Sequence, residues 1–408
     1  METRTQMVEP SVGTMRPQRL ISLDVLRGIT IAFMIMVNNN GGAGSWGFMK
    51  HAVWNGLTAT DLVFPTFVFV VGASIVFAVE ARLARGATRA ELAWHTVKRA
   101  AILFLLGMVV NNFPFFKLDN MRFYGVLQRI AICYLVVGLF YLWDRRGWTK
   151  AAALVVLLVG YWVLVRWVPV PGAGMPGRDV PFMDQTQNLV SWLDRLLMPH
   201  HLYMDSSGPN LHNVRDPEGL LSDLPAIGTA LIGLLTGLWL RSGRSVKHKA
   251  QGLAAAAVTC LALGYLWSLE FPLNKNMWTS SYVLVAAGWS LTVLTAAFWM
   301  VEEWGWGRWK GEGKSKGLVY SALVFPWLVL GSNAITAYMF SELVPELLEY
   351  IRFIANGKRT NPMGWMADHV FVHMPDAGWA AFAYSVFTLG YCFVPVWIMY
   401  RKRIFLKV

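Results

Sequence analysis

Five side chains that could take part in catalysis or binding come directly before a long apolar run in "MKHAVWNGLTATDLVFPTFVFVVG", residues 49–72. They are His51, Trp54, Asn55, Thr58 and Asp61. A neutral imidazole titrates near pH 6.5, so His51 can take up a proton at physiological pH. A nearby carboxylate can hold such an imidazole in one tautomer, which is the role we predict for Asp61. The pattern is typical of general-base or nucleophilic chemistry. A plain surface-loop role for His51 stays open.

The composition indicates that this chemistry takes place at a membrane. Of the 408 residues, 55% are hydrophobic and only 15% are charged, whereas about 25% are charged in an average soluble domain. The apolar runs lack the two-residue alternation of β-barrel strands, so the spans are predicted to be helices. The predicted fold class is therefore an all-α polytopic membrane protein that is embedded in a lipid bilayer.

About ten apolar segments have the length, roughly 20 residues, that a helix needs to cross a bilayer. A polar tail, residues 1–18, precedes them, and residues 19–408 are predicted to form a single transmembrane domain. The segment "LVPELLEYIRFIAN", residues 343–356, is too short and too charged to span, so it is predicted to lie along the surface. The predicted spans are 21–40, 59–80, 96–113, 123–143, 150–168, 222–241, 250–270, 279–300, 319–342 and 379–400.

Two loops between these spans have distinct compositions. The loop 169–221 is unusually long, and it is predicted to be folded because four apolar residues in it have helical spacing. The segment "GRWKGEGKSKG", residues 307–317, has the composition of a flexible linker. The apolar residues of the long loop are Trp192, Leu193, Leu196 and Leu197.

The basic residues predict the orientation of the chain in the membrane. Most of the 36 Lys and Arg residues fall on one side if both termini are cytoplasmic, as the positive-inside rule requires. His51 then lies on the outer side. The basic residues are spread over short loops and form no patch, so the net charge of +12 predicts no nucleic-acid partner.

With this orientation, further polar residues fall at the same outer mouth as His51. Ionisable groups within a span cost several kcal/mol unless they are paired, so they mark functional sites by default. Gln128 accompanies Arg129 about two turns into its helix, and Asn333 is predicted near mid-membrane. A smaller pair, Asp24 and Arg27, is predicted at the inner mouth. The predicted outer cluster is Asn38, His51, Trp54, Asn55, Asp61, Arg129, Lys275 and Asn276.

Some of these residues also have a structural interpretation. Asp61 and Arg129 could form an ion pair that joins two helices. Asp24 and Arg27 stand three residues apart on one helix face and could pair locally. No metal site is predicted, because the three cysteines lie within apolar spans and lack CxxC spacing.

The segment "KHAVWNGLTATDLVFPTFVFVVG" resembles the conserved block of the heparan-α-glucosaminide N-acetyltransferase family, which comprises lysosomal transmembrane acetyltransferases and bacterial relatives. Other blocks are similar in the same order along the chain. They are "RLISLDVLRGITIAFMIMVN", "GVLQRIAICYLVV", "DRLLMPHHLY", "RDPEGLLSDLPAIGTALIGLLTG", "PLNKNMWTSSYV" and "LVLGSNAITAYM".

This resemblance implies an acetyl-CoA-dependent N-acetyltransferase that acetylates the amine of an amino sugar across the membrane. The family's active-site histidine corresponds to His51 and its partner asparagine to Asn38. The turn that follows is longer here than in the family, which leaves Asn40 as an alternative. A bacterial relative implies the inner membrane, with the site towards the periplasm. A homodimer remains possible.

The remaining predicted site residues follow from this reaction. Arg27 and Arg129 are candidates for the phosphates or carbonyls of acetyl-CoA, and Asn38 or Asn55 for an oxyanion donor. Sugar-permease function is the alternative, because polar groups at both mouths would also suit a carrier. The residues predicted to bind substrate are Asn40, Trp54, Asn55, Arg27, Gln128, Arg129, Lys275, Asn276 and Asn333.

Overall fold

The computed structural model describes residues 20–42, 44–203, 214–306, 320–355 and 357–406. The predicted tail, residues 1–18, and the predicted linker, residues 307–317, lie outside these ranges. The described ranges contain 13 α-helices and one two-stranded hairpin, in which β1 (Phe353–Ala355) pairs antiparallel with β2 (Lys358–Thr360). The all-α fold class is confirmed.

The helices run in chain order, with long connecting segments between α1 and α2 (residues 39–62) and between α5 and α7 (residues 168–222). Short π-helical turns, Trp299–Glu303 and Tyr320–Val324, follow α9 and precede α10. The α-helices are α1 (Ile21–Asn38), α2 (Val63–Leu83), α3 (Arg89–Asn112), α4 (Val126–Trp143), α5 (Gly147–Trp167), α6 (Leu189–Leu197), α7 (Asp223–Arg241), α8 (Val246–Trp267), α9 (Ser280–Phe298), α10 (Phe325–Ser332), α11 (Ala334–Tyr350), α12 (Pro362–His369) and α13 (Ala377–Arg401).

The described ranges hold nine helices that are long and apolar enough to cross a membrane, and ten if α10 and α11 count as one bent span. This confirms a polytopic integral membrane protein with about the predicted number of spans. The described parts of the long loop, residues 169–203 and 214–221, are folded as predicted, because α6 forms within them and begins with a cap in which Asn188 accepts a hydrogen bond from the backbone of Ser191.

The prediction of one continuous helix over 319–342 is wrong. The helix breaks at Asn333, and the axes of α10 and α11 differ by 77°. The Asn333 side chain donates to the carbonyl of Ile404 (3.1 Å) and accepts from the amide of Leu406 (3.0 Å), so the C-terminal segment binds at the break. Helix α11 then continues to Tyr350, so the first half of 343–356 is helical and extends this bent pair.

Helices α1, α2, α4, α7 and α9 form the interior of the bundle, whereas α3, α5, α8 and α13 bury only 22% of their apolar windows and face outward. Helices α2 and α7 pack backbone to backbone, because a Cβ on Gly72 would lie 2.0 Å from the carbonyl oxygen of Ala230. Since α2, α4, α7 and α9 all begin at one end of the bundle, the loops before them converge there. We call this the His51 end.

Candidate active site

His51 and Asp61 form a hydrogen-bonded pair at the His51 end. His51 Nδ1 lies 2.7 Å from Asp61 Oδ1, and this spacing assigns the Nδ1 proton to the bond. The other carboxylate oxygen of Asp61 accepts from the amide of Ala52 (3.1 Å) and from the amide and hydroxyl of Thr58 (2.9 and 3.0 Å). Asp61 is 1% exposed, whereas the His51 side chain is 49% exposed. A fixed carboxylate thus orients an accessible imidazole.

Lys275 lies beside the imidazole of His51. Its Nζ is 3.2 Å from Nε2 and 3.4 Å from Nδ1. An atom nearly equidistant from both ring nitrogens cannot lie along the lone pair of Nε2, so that direction is left to another partner. Desolvation by the surrounding loops lowers the pKa of His51, and the charge of Lys275 lowers it further, although Asp61 opposes both. The imidazole is therefore neutral at physiological pH.

The loop before α9 holds Lys275 in place. Asn274 is fully buried, donates from its amide to Asn55 Oδ1 (3.1 Å) and accepts from the amide of Met277 (2.8 Å). The amide of Gly56 donates to the carbonyl of Leu273 (2.8 Å). The loop of His51 and the loop of Lys275 are thus joined by backbone and side-chain hydrogen bonds, which fixes the distance between the two functional groups.

Trp54 anchors the same loop on its other side. Its indole Nε1 donates to the carbonyl of Met183 (2.8 Å), and the guanidinium of Arg215 lies 4.6 Å from the ring centroid. Its ring packs with a small apolar cluster that includes Met183 and Phe271. Trp54 therefore connects the His51 loop to the long loop.

The long loop brings two buried carboxylates to the site that the sequence analysis missed. Arg122 binds Asp216 through two nitrogens (2.9 and 2.7 Å) and Glu218 through one (2.6 Å). Burial alone would raise the pKa of Glu218, but the charges of Arg122, Arg129 and Lys275 outweigh it and hold that pKa low. Glu218 is therefore an anion that acts electrostatically on both Lys275 and His51. The only signal in the sequence is the group of acids in "RDPEGLLSD".

Arg129 is fully buried and holds the start of α7 in place. It donates to Asp223 (2.9 Å) and to the carbonyls of Pro217 (3.2 Å) and Gly219 (3.0 Å), and it also bonds the hydroxyl of Ser222. The proposed ion pair between Asp61 and Arg129 is wrong, because each residue is bound to other partners. Asp61 instead pairs with His51.

The predicted amide residues make hydrogen bonds with different parts of the protein, and none of these bonds is to His51 or Asp61 itself. Asn40 donates to the carbonyl of Met49 (3.0 Å), two residues before His51. Asn38 donates to Glu342 on α11 (2.9 Å). Gln128 is fully buried against Asn111, and its Nε2 has no hydrogen-bond partner within the described residues. Asn276 is half-buried and follows Lys275 in the chain.

At the opposite end of α1, the predicted pair of Asp24 and Arg27 is confirmed, with 3.1 Å between Oδ1 and Nη1. Arg27 also donates to the hydroxyl of Ser74 on α2 (2.6 Å) and approaches the carbonyl of Gly331 (3.5 Å). Asn333, predicted near mid-membrane, lies at the break where α10 meets α11. Arg27 and Asn333 therefore belong to a second polar region, away from the His51 pair.

These features define a polytopic membrane protein with an accessible histidine–aspartate pair at one mouth of its helix bundle. A family model described as heparan-alpha-glucosaminide N-acetyltransferase, catalytic, matches residues 19–172. This range includes His51 and Asp61.

Two curated proteins are similar over nearly the whole chain. The human heparan-alpha-glucosaminide N-acetyltransferase is 28% identical over 441 residues, which cover 96% of this chain and 60% of the relative. The mouse protein of the same name is 26% identical over 449 residues, which cover 98% and 62%. The chain thus spans about three fifths of these relatives' length. The resemblance predicted from the sequence is confirmed.

Proposed function

We propose that this protein is a membrane-embedded N-acetyltransferase that transfers the acetyl group of acetyl-CoA to the amine of an amino sugar. The observation that carries the proposal is the pairing of His51 Nδ1 with the buried Asp61 at 2.7 Å, in a histidine whose side chain is 49% exposed. The names of the similar human and mouse proteins, which specify a glucosaminide and an N-acetyl group, support this donor and this acceptor class.

The acceptor step needs a base, because an amine is protonated in water and must lose a proton before it attacks. His51 takes that proton at Nε2, and Asp61 stabilises the imidazolium that forms. In the two-step alternative, Nε2 attacks the thioester first and carries the acetyl group before the amine does.

The tetrahedral intermediate needs a hydrogen-bond donor for its oxyanion. We assign this role to Asn55, whose Oδ1 is held by Asn274 so that the amide plane is fixed, with Asn38 as the alternative. Asn40 and Asn276 flank the site and are proposed to contact the acceptor. Trp54, Gln128 and Arg129 support the reaction from inside the protein, because they hold its loops and helix ends.

The donor is proposed to enter from the opposite end, where Arg27 binds its phosphates and Asn333 orders the break beside it. Between that end and His51, a small apolar cavity of about 10 Å³ lies among α1, α2, α4 and α11, lined by Met34, Phe67, Ile130, Ile335 and others. This cavity holds no more than about one water, so the proposal requires these helices to separate before the pantetheine arm can pass between them. With both termini cytoplasmic in a bacterial inner membrane, the acetyl group would reach the periplasmic face.

One observation favours the alternative of a sugar carrier. Carriers often bind substrate at broken helices, and α10 and α11 form such a break. The polar groups of Asn333, however, bind the backbone of residues 404 and 406. They therefore serve the packing of the chain, whereas a carrier would turn them towards a ligand.

The test is incubation of the purified protein with labelled acetyl-CoA and glucosamine, with thermal melting measured in parallel. An acetyltransferase forms N-acetylglucosamine and gains stability with acetyl-CoA, by about 2.7 kcal/mol at a hundredfold excess over Kd. A carrier forms no product and its melting point does not respond to CoA. Absence of N-acetylglucosamine, or a melting point that does not change with acetyl-CoA, would count against the proposal.

A further inference from the structure

Lys275 places a primary amine beside the imidazole that is proposed to activate the acceptor amine. Its Nζ lies 3.2 Å from His51 Nε2, so an acetyl group that binds against this imidazole also lies next to the lysine amine. The negative charges of Glu218 and Asp61 and the positive charges of Arg129 and Arg122 all act on this amine. The site thus already holds one amine of the chain itself.

The surroundings of Lys275 also favour its reactive form. Desolvation lowers the pKa of Lys275, and Arg129 and Arg122 add to this, although Glu218 and Asp61 oppose it. A lysine with a lowered pKa has a larger unprotonated fraction at a given pH, and only the unprotonated amine is a nucleophile. Nζ lies 3.2 Å from Nε2 but off its lone pair, so the proton reaches His51 once the flexible lysine side chain rotates towards that lone pair.

We propose that Lys275 is itself acetylated at this site when acetyl-CoA is bound and no acceptor is present. This inference rests on the proposed acetyltransferase function. The Nζ lone pair forms a bond to the carbonyl carbon of the acetyl thioester, the carbon–sulfur bond breaks, and the thiolate leaves. The proton that Nζ loses passes through His51 to the thiolate, so the products are Nε-acetyl-lysine and CoA. If His51 carries the acetyl group first, the imidazole is the leaving group instead.

This modification would regulate the site. Acetylation removes the positive charge of Lys275, which leaves Glu218 without one of its three neighbouring cations. The added amide also occupies the place of the acceptor's own product beside the imidazole. Self-acetylation should therefore slow turnover, and a saturating acceptor should protect Lys275 by competing for the acetyl group.

The experiment uses the full chain, purified in detergent, incubated with isotopically labelled acetyl-CoA with and without glucosamine, and analysed by peptide mass spectrometry. Lys117 is the matched control, because it is exposed at the same end of the bundle and reports non-enzymatic labelling. Labelling of Lys275 should exceed that of Lys117 by at least about tenfold, since proximity raises effective concentration far more than this. His51→Ala should lower the labelling of Lys275 to that of Lys117. Asp61→Asn, a second and independent variant, should also reduce the labelling of Lys275.

The outcomes separate the two proposals. If glucosamine is acetylated while Lys275 is labelled no more than Lys117, the self-acetylation inference is overturned and the proposed function stands. If Lys275 is labelled but glucosamine is not, the inference is supported and the proposed acceptor is wrong. If neither is labelled above background, both proposals fail. Loss of total protein label in Lys275→Arg would identify the site independently.

Discussion

Asp61 is buried and its carboxylate binds His51 with one oxygen and the backbone of the same loop with the other. The carboxylate therefore cannot rotate without breaking the turn that leads into α2. The imidazole depends on this single carboxylate for its orientation, while about half of the His51 side chain remains exposed. The pair combines a rigid support with a reactive group that solvent and substrate can reach.

His51→Ala should abolish acetyl transfer to glucosamine, because it removes the group that takes the proton of the amine. The protein should still fold, since the His51 side chain is about half exposed and packs little apolar surface. The measurement is turnover of the purified variant, together with its melting temperature. His248→Ala is the control, because His248 is exposed at the start of α8 and should leave turnover intact. Turnover that persists in His51→Ala contradicts the assignment.

Asp61→Asn should lower kcat by roughly two to four orders of magnitude, because an amide no longer fixes the reactive tautomer or stabilises an imidazolium. The neutral amide can still accept hydrogen bonds from Thr58 and Ala52, so the loss of stability should be smaller than the loss of activity. Steady-state kinetics and thermal melting on one preparation separate the two effects. A variant that melts early yet turns over at the wild-type rate would show that Asp61 is only structural.

Lys275→Met should move the acidic limb of the activity profile to higher pH. The charge of Lys275 is one of the causes that lower the pKa of His51, so its removal lets that pKa rise. A histidine with a higher pKa becomes a free base only at higher pH, and activity that requires the free base is lost sooner on acidification. Lys275→Arg keeps the charge and should leave the limb in place. The measurement is kcat/KM against pH for both variants, and a limb that moves to lower pH in Lys275→Met contradicts the assignment.

The sequence was sufficient to predict the pairing of His51 with Asp61, because the two residues are ten positions apart and both precede the main part of the same helix. It also predicted that Lys275 would join them, because helix directions place the starts of α2 and α9 at one end. These predictions depend only on the length of a span and the alternation of sides, which hydropathy reveals directly.

Other contacts depend on how the helices and loops pack, which hydropathy does not predict. The sequence offers Asp61 as one possible partner of Arg129, but Asp223 begins α7 at the same level, and only the packing of α4 against α7 decides between the two carboxylates. Glu218 was missed because the path of a long loop cannot be derived from spacing. The break at Asn333 was missed because it depends on hydrogen bonds with the backbone of residues 404 and 406, over 70 positions away.

Arg122→Met should destabilise the protein by about 3–5 kcal/mol, because it leaves the buried carboxylates of Asp216 and Glu218 without their shared cation. The loss should be smaller at acidic pH. Burial raises the pKa of Asp216, and removal of the arginine raises it further, so its neutral form takes over at a higher pH than in the wild type. Melting temperature measured between pH 5 and 8 tests both parts of this expectation.

The long loop supplies a matched control for this variant. Arg178 pairs with Asp179 at 2.9 Å, but the two side chains are 75% and 39% exposed, and an exposed pair contributes little because water and salt screen it. Arg178→Met should therefore leave the melting temperature almost unchanged at every pH. If the melting temperatures of the two variants fell by the same amount, the Arg122 network would be no stronger than an exposed ion pair. The proposal that it supports the charges of Glu218, Lys275 and His51 would then be contradicted.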